Sequence, residues 1–294
     1  MRPGSVGARP PNAVGAAPTL QYNVDAVSDR AIELAVRAAA PVESAWSAWT
    51  DPARLCEWFP DRASGCARAG DAMTYEWDAL GMSLDLQVVD ARPHKRLVLR
   101  GNPTGRAVET QTLSFARDGD GCAIALRHTG MPDDDVAAGT ESGWRVTLAV
   151  LRYYLEHCYA TPRASAWMLG FAPAGFASAF HYYTEPDGLA TWLADGGRGV
   201  GQVGDAYALA LPGGASMSGE VIARCAPREV AMTWSEIGGV VAFRLFRIAA
   251  GATLVGAHAM TWGRSADDVA PELNQLRIAV DRLVSALGGT SALA

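Results

Sequence analysis

Apolar side chains at Val42, Ala45, Trp46 and Trp49 fall at i, i+3, i+4 and i+7, which is one face of a helix. The same spacing returns far down the chain in Phe176, Ala179, Phe180 and Tyr183. Each predicted helix follows a short apolar strand, 31–36 or 166–171, and a proline, Pro41 or Pro173. Proline suits a helix start because its missing N–H costs nothing there. Downstream the period drops to two: Met73, Tyr75 and Trp77 alternate with Thr74, Glu76 and Asp78, and Met82, Leu84, Leu86 and Val88 alternate with Ser83, Asp85 and Gln87. Such alternation predicts half-buried strands. Further strands are expected near 95–100, 107–116 and 122–129, with Asp118-Gly119-Asp120-Gly121 as the tight turn between the last two. A long amphipathic helix closes each run, first through Trp144, Leu148, Leu151 and Leu155, later through Leu273, Leu276, Val280, Leu283 and Leu287.

The two runs are copies. Thr50-Asp51-Pro52, Leu55 and Trp58 match Thr184-Glu185-Pro186, Leu189 and Trp192, every pair 134 positions apart. Gly70-Asp71 and Gly204-Asp205 keep that separation, as do Pro93 and Pro227. A shortening of about four residues then sets Gly121 against Gly251 and His128 against His258, 130 apart. One register held over more than forty positions marks an internal duplication. The expected organisation is a loose arm at 1–23, a first domain at 24–160, the linker Tyr159-Ala160-Thr161-Pro162-Arg163, and a divergent second domain at 165–290. Each domain is read as α+β: a strand, two short helices, about six antiparallel strands, and a long helix gripped by the curved sheet.

Composition narrows the function classes. Of 294 residues, 49% are hydrophobic and 19% charged, and the net charge is −6. No basic field is available for phosphates or an anionic membrane, so nucleic acid is not an expected partner. No uninterrupted apolar run reaches the length of a membrane-spanning helix, and none near the start resembles a secretory signal. The five cysteines form no CxxC pair and are read as reduced thiols. A cytoplasmic setting is expected.

The residues Ala40-Pro41-Val42-Glu43, Ala45-Trp46, Thr50-Asp51-Pro52, Leu55, Trp58-Phe59-Pro60 and Gly70-Asp71, continued by Arg96-Leu97-Val98-Leu99 and Gly143-Trp144, resemble the START-like helix-grip superfamily. This superfamily is also called polyketide cyclase or birch-pollen-allergen-like. The pattern is most similar to its branch of activators of the heat-shock protein 90 ATPase. The first copy carries the resemblance over about 30–158; the second, at about 165–288, lacks a counterpart of Gly143-Trp144. The resemblance implies two tandem helix-grip domains, each with a cavity between sheet and long helix that holds an apolar molecule. It carries no catalytic motif and no cofactor.

Candidate chemistry is sparse. Gly199-Val200-Gly201-Gln202-Val203-Gly204 spells GxGxxG, but the duplication aligns it with a loop leading into a strand, not a helix. Asp133, Asp134 and Asp135 precede a helical stretch and read as capping residues. His128 falls on the alternating set Cys122, Ile124, Leu126, His128, and His258 recurs at the matching place, so the pair is expected to face two cavities. Such a histidine either orients a ligand carbonyl, acts as a general base, or is a strand-end residue satisfied by backbone. Trp58, Tyr75, Trp77, Trp144, Leu148 and Leu151 are the expected lining of the first cavity, with Trp192 and His258 in the second, set against plain core packing. The expected partner is a small hydrophobic molecule bound mainly by the first domain. The alternatives are a cyclase or dehydratase acting on a polyketide-like or aromatic substrate, and a module that modulates a chaperone ATPase.

Overall fold

A computed structural model of the protein describes residues 30–103, 105–193, 198–249 and 252–291; the arm at 1–23 and Gly251 lie outside them. The first domain runs β1 (Ile32–Ala38), α1 (Val42–Thr50), α2 (Pro52–Cys56), β2 (Arg62–Gly65), β3 (Ala72–Trp77), β4 (Met82–Arg92), β5 (Arg96–Gly101), β6 (Glu109–Asp118), β7 (Gly121–Thr129) and α3 (Asp134–Tyr153). Its sheet has the order β1-β7-β6-β5-β4-β3-β2, with every pair antiparallel. The second runs β8 (Arg163–Ala172), α4 (Phe176–Thr184), α5 (Pro186–Trp192), β9 (Ala206–Ala210), β10 (Ser216–Cys225), β11 (Glu229–Trp234), β12 (Gly239–Ala249), β13 (Ala252–Trp262), α6 (Ala270–Ala286) and β14 (Thr290–Ser291). Its order is β14-β8-β13-β12-β11-β10-β9. Both are α+β helix-grip domains. Among the described residues no helix is long and apolar enough to cross a membrane.

The duplication is written in hydrogen bonds. The Trp58 indole donates to Ala48 O at 2.9 Å and the Trp192 indole to Tyr182 O at 2.7 Å. The Thr50 hydroxyl donates to Trp46 O, and the Thr184 hydroxyl to Phe180 O, four residues back in both helices. Gly70 N–H donates to Val88 O and Gly204 N–H to Val221 O, both at 2.9 Å. These two glycines have φ of 94° and 93°, where a side chain is strained. The GxGxxG stretch thus ends in a turn that leads into β9, as expected from the alignment.

The central strands of the second sheet, β11–β13, are buried on both faces. Val241, Phe243, Val255, Ala257 and Ala259 pack on one side with Leu276, Val280 and Leu283 of α6. Ala223, Ala231, Val240, Ala242, Met260 and Trp262 pack on the other into the core of the first domain. That second contact is with α3, which the two domains share. Gly139 and Gly143 of α3 admit the Arg228 and Arg244 guanidinium groups, each 3.5 Å from where a Cβ would stand. Asp133 caps α3, accepting from Val136 N–H at 2.8 Å, while Asp135 pairs at 2.8 Å with both Arg228 and Arg247 of the second domain. The acidic run is therefore cap and interdomain anchor together.

One expectation fails through a single residue. His128 faces inward from β7 beside Gln111, Leu126 and Ile32. In the second copy β12 carries a bulge between Arg247 and Ala249, so Ile248 is extra. The offset becomes 131 beyond the bulge: Leu113 pairs with Leu126, but its counterpart Phe243 pairs with Ala257. The true counterpart of His128 is Ala259, and His258 points to the opposite face, at the domain interface. A slip of one residue reverses every side chain of a strand.

Candidate functional site

The inner face of the first domain is an aromatic cluster centred on Phe59, which follows α2 because its N–H closes the turn onto Leu55 O. Its ring centroid lies 5.1 Å from Trp58, 5.2 Å from Trp77, 5.8 Å from Trp144, 5.9 Å from Tyr75 and 6.0 Å from Trp49. Trp49, Trp58, Tyr75 and Trp144 are buried; Phe59 and Trp77 are only partly so and form the outer side of the cluster. The structure thus brings Trp58, Tyr75, Trp77 and Trp144 around Phe59, which stands in the Trp58-Phe59-Pro60 motif but not among the expected lining residues. Burial pushes the Tyr75 phenol well above its ordinary pKa, and its hydroxyl reaches only the Met73 sulfur, at 3.8 Å.

Beyond Trp144 lies a buried polar group. The Trp144 indole N–H donates to His128 Nδ1 at 2.9 Å. This fixes the neutral tautomer with its proton on Nε2. Nε2 stands 2.9 Å from Glu109 Oε2, off the line of a straight hydrogen bond, and both side chains are at most 4% exposed. Among the described residues, Glu109 Oε1 and Gln111 Oε1 are buried without a hydrogen-bond donor. Glu109 and Gln111 went unnoticed in the sequence because the inward line Glu109, Gln111, Leu113, Phe115 begins with polar residues. The pairing of Gln111 with His128 is the signal that places them.

The second interior differs. Strand pairing sets Gly239, Val241 and Ala259 where the first domain has Glu109, Gln111 and His128. Leu209 and Leu211 stand in place of Tyr75 and Trp77. Trp192 is core, its ring 5.2 Å from Phe243 and 6.2 Å from Tyr183. His258 is stacked on Trp167 at 3.9 Å, near Arg244, which bonds Glu229. Burial holds the His258 pKa well below its ordinary value, and Arg163 and Arg244 push it the same way. Leu151 is wholly buried, whereas Leu148 borders a groove of about 420 Å³ between β1, α3 and β10. Among the described residues no group of three His, Cys, Asp or Glu side chains is placed to hold a metal.

Residues 39–156 match the family described as Activator of Hsp90 ATPase homolog 1-like protein. Among solved structures, CalU16 from Micromonospora echinospora is 25% identical, covering 43% of this chain and 76% of its own, with a TM-score of 0.38. The Aha1 dimer from Colwellia psychrerythraea is 19% identical over 44% of this chain and 97% of its own, with a TM-score of 0.40. DynU16, of the dynemicin biosynthetic locus, is 17% identical and spans 89% of this chain and 99% of its own, with a TM-score of 0.42. No curated protein matches the chain. The family match falls within the first domain, and the second domain repeats the same strand–helix order.

Proposed function

We propose that the first domain binds a small, largely apolar molecule bearing a hydroxyl or amino group, with its apolar body against Phe59, Tyr75, Trp77 and Trp144 and its donor hydrogen on Glu109. The carrying observation is the buried Glu109 oxygen without a donor, beside His128 and an aromatic wall. Leaving a buried acceptor unmade costs about 1–3 kcal/mol, which a donor-bearing ligand recovers. The second domain lacks this set and serves packing. A cyclase or dehydratase reading has less support: Nδ1, the lone pair a general base would use, is engaged by Trp144.

Equilibrium dialysis with 2-naphthol and 2-methoxynaphthalene, which differ in the donor hydrogen, tests the reading. The naphthol should bind at least about tenfold tighter, the equivalent of about 1.4 kcal/mol, and Glu109→Leu should bring the two within about twofold. Equal affinities in the unaltered protein, or no binding of either, would overturn it.

A further inference from the structure

The segment Glu57–Asp61 carries Phe59 across the outer side of the aromatic cluster, and its hydrogen bonds are divided between the two domains. Its N–H groups are held by its own domain: Phe59 N–H donates to Leu55 O at 2.9 Å and Asp61 N–H to Glu76 O at 2.9 Å. Three of its carbonyls are held by the second. Trp262 Nε1 donates to Glu57 O at 2.6 Å, Arg163 Nη1 to Phe59 O at 3.2 Å, and Arg163 Nη2 to Pro60 O at 2.6 Å. Asp61 Oδ1 lies 3.6 Å from the same guanidinium. Arg163 and Trp262 are not scattered contacts. They face each other as the last rung of the β8–β13 ladder, so one rigid edge presents all three donors.

The setting makes these bonds strong. The Arg163 side chain is 3% exposed and Trp262 is 6% exposed. A charge-assisted donor in so dry a place is held more tightly than a surface one. The carbonyls lie in the segment that supplies the partly exposed ring of the cluster, whereas Trp49, Trp58, Tyr75 and Trp144 behind it are shut from solvent. Phe59 packs on Trp144, which holds His128 beside Glu109, so Phe59 is the outer ring on this side of the cluster, and its backbone is tied to the neighbouring domain.

We propose that the Arg163–Trp262 rung is a latch: the second domain positions the Phe59 segment over the first grip and thereby sets how fast a ligand enters and leaves. This assignment rests on the reading of the first grip as the binding site, and it gives the divergent copy a role in binding although its own interior lacks the polar set of the first. Arg163 and Trp262 act through Phe59 and are positioning residues that touch no ligand.

Two measurements on the full chain separate the latch from the binding reading. The first is amide hydrogen exchange over residues 57–61, which needs no ligand. The second is stopped-flow tryptophan fluorescence with 2-naphthol. Trp262→Phe keeps the ring and removes the N–H, and Arg163→Met removes both guanidinium donors. Each should accelerate exchange in 57–61 at least about tenfold, and raise the association and dissociation rates of 2-naphthol together while its Kd moves less than about threefold. Arg163→Lys should fall between Arg163→Met and the unaltered protein. Asp135→Asn, which weakens a different interdomain contact, should leave segment exchange and probe rates unchanged. Unchanged exchange in both latch variants overturns the proposal, as does faster exchange with unaltered probe rates or an equal effect from Asp135→Asn. Failure of 2-naphthol to bind the unaltered protein overturns the binding reading and the gate with it. Accelerated exchange in the variants would then identify the rung as a structural tie alone.

Discussion

Trp144 spends its only polar atom on a histidine lone pair inside the first domain, and that bond decides where the His128 proton sits. Trp144→Phe keeps an aromatic ring in the cluster but leaves Nδ1 buried without a donor. The expected loss is about 1–3 kcal/mol of stability, read as a lower denaturant midpoint at unchanged slope. His258 offers a second test, set by pH. Its folded pKa lies well below the ordinary value of 6.5, chiefly through burial. The unfolded imidazole therefore takes a proton as pH falls through about 6.5 while the folded one does not, so stability present above that pH is lost below it, at up to about 1.4 kcal/mol per pH unit. Glu229 beside Arg244 has its pKa raised by burial and works in the opposite sense, so the comparison must isolate the histidine. His258→Phe, which keeps a ring on Trp167, should flatten the fall in unfolding free energy between pH 7 and 5. Equal pH slopes in the two proteins would show that His258 is not the group responsible.

At the scale of elements, the readable features were those that answer a local backbone demand. Asp51 accepts from Ala53 N–H at 2.9 Å and caps α2, and Pro52 opens the helix. Gly70 and Gly204 take a positive φ that both copies require. Such residues keep their spacing whatever packs around them, which is why the 134-residue repeat and the order of strands and helices could be read directly. Faces could not, because a face depends on register: Ile248 in the β12 bulge was enough to turn His258 away from the interior that His128 occupies. Glu109 and Gln111 were hidden for a related reason, since polar residues at the end of an alternating strand look solvent-facing until their partner strand is known. The copies also differ in detail, because Glu185 stands where Asp51 does but makes no side-chain cap on α5. Asp51→Ala should thus cost about 0.5–2 kcal/mol, and Glu185→Ala less than about 0.5, in paired thermal unfolding measurements.

For the whole molecule, the decisive feature is α3, which belongs by sequence to the first domain but is buried by both. Its Trp144, Val146, Leu148 and Leu151 join the first core, and its Gly139 and Gly143 let Arg228 and Arg244 of the second domain approach. A sheet with one apolar face can stand alone against its own helix; the second sheet has two, and its outer one meets α3. Sequence periodicity can show that a strand such as β13 lacks a regular polar alternation, but not that its second face is reserved for another domain. Unfolding should therefore be one cooperative transition by calorimetry. Gly143→Leu places a branched side chain where the Arg244 guanidinium lies 3.5 Å from the glycine's Cβ direction. Overpacking of this kind costs about 1–3 kcal/mol, and here the cost falls on the interface alone. The variant should keep the far-ultraviolet circular dichroism of both sheets while its calorimetric transition broadens or splits as the domains melt separately. A single transition at an unchanged midpoint would mean that α3 is not what couples them.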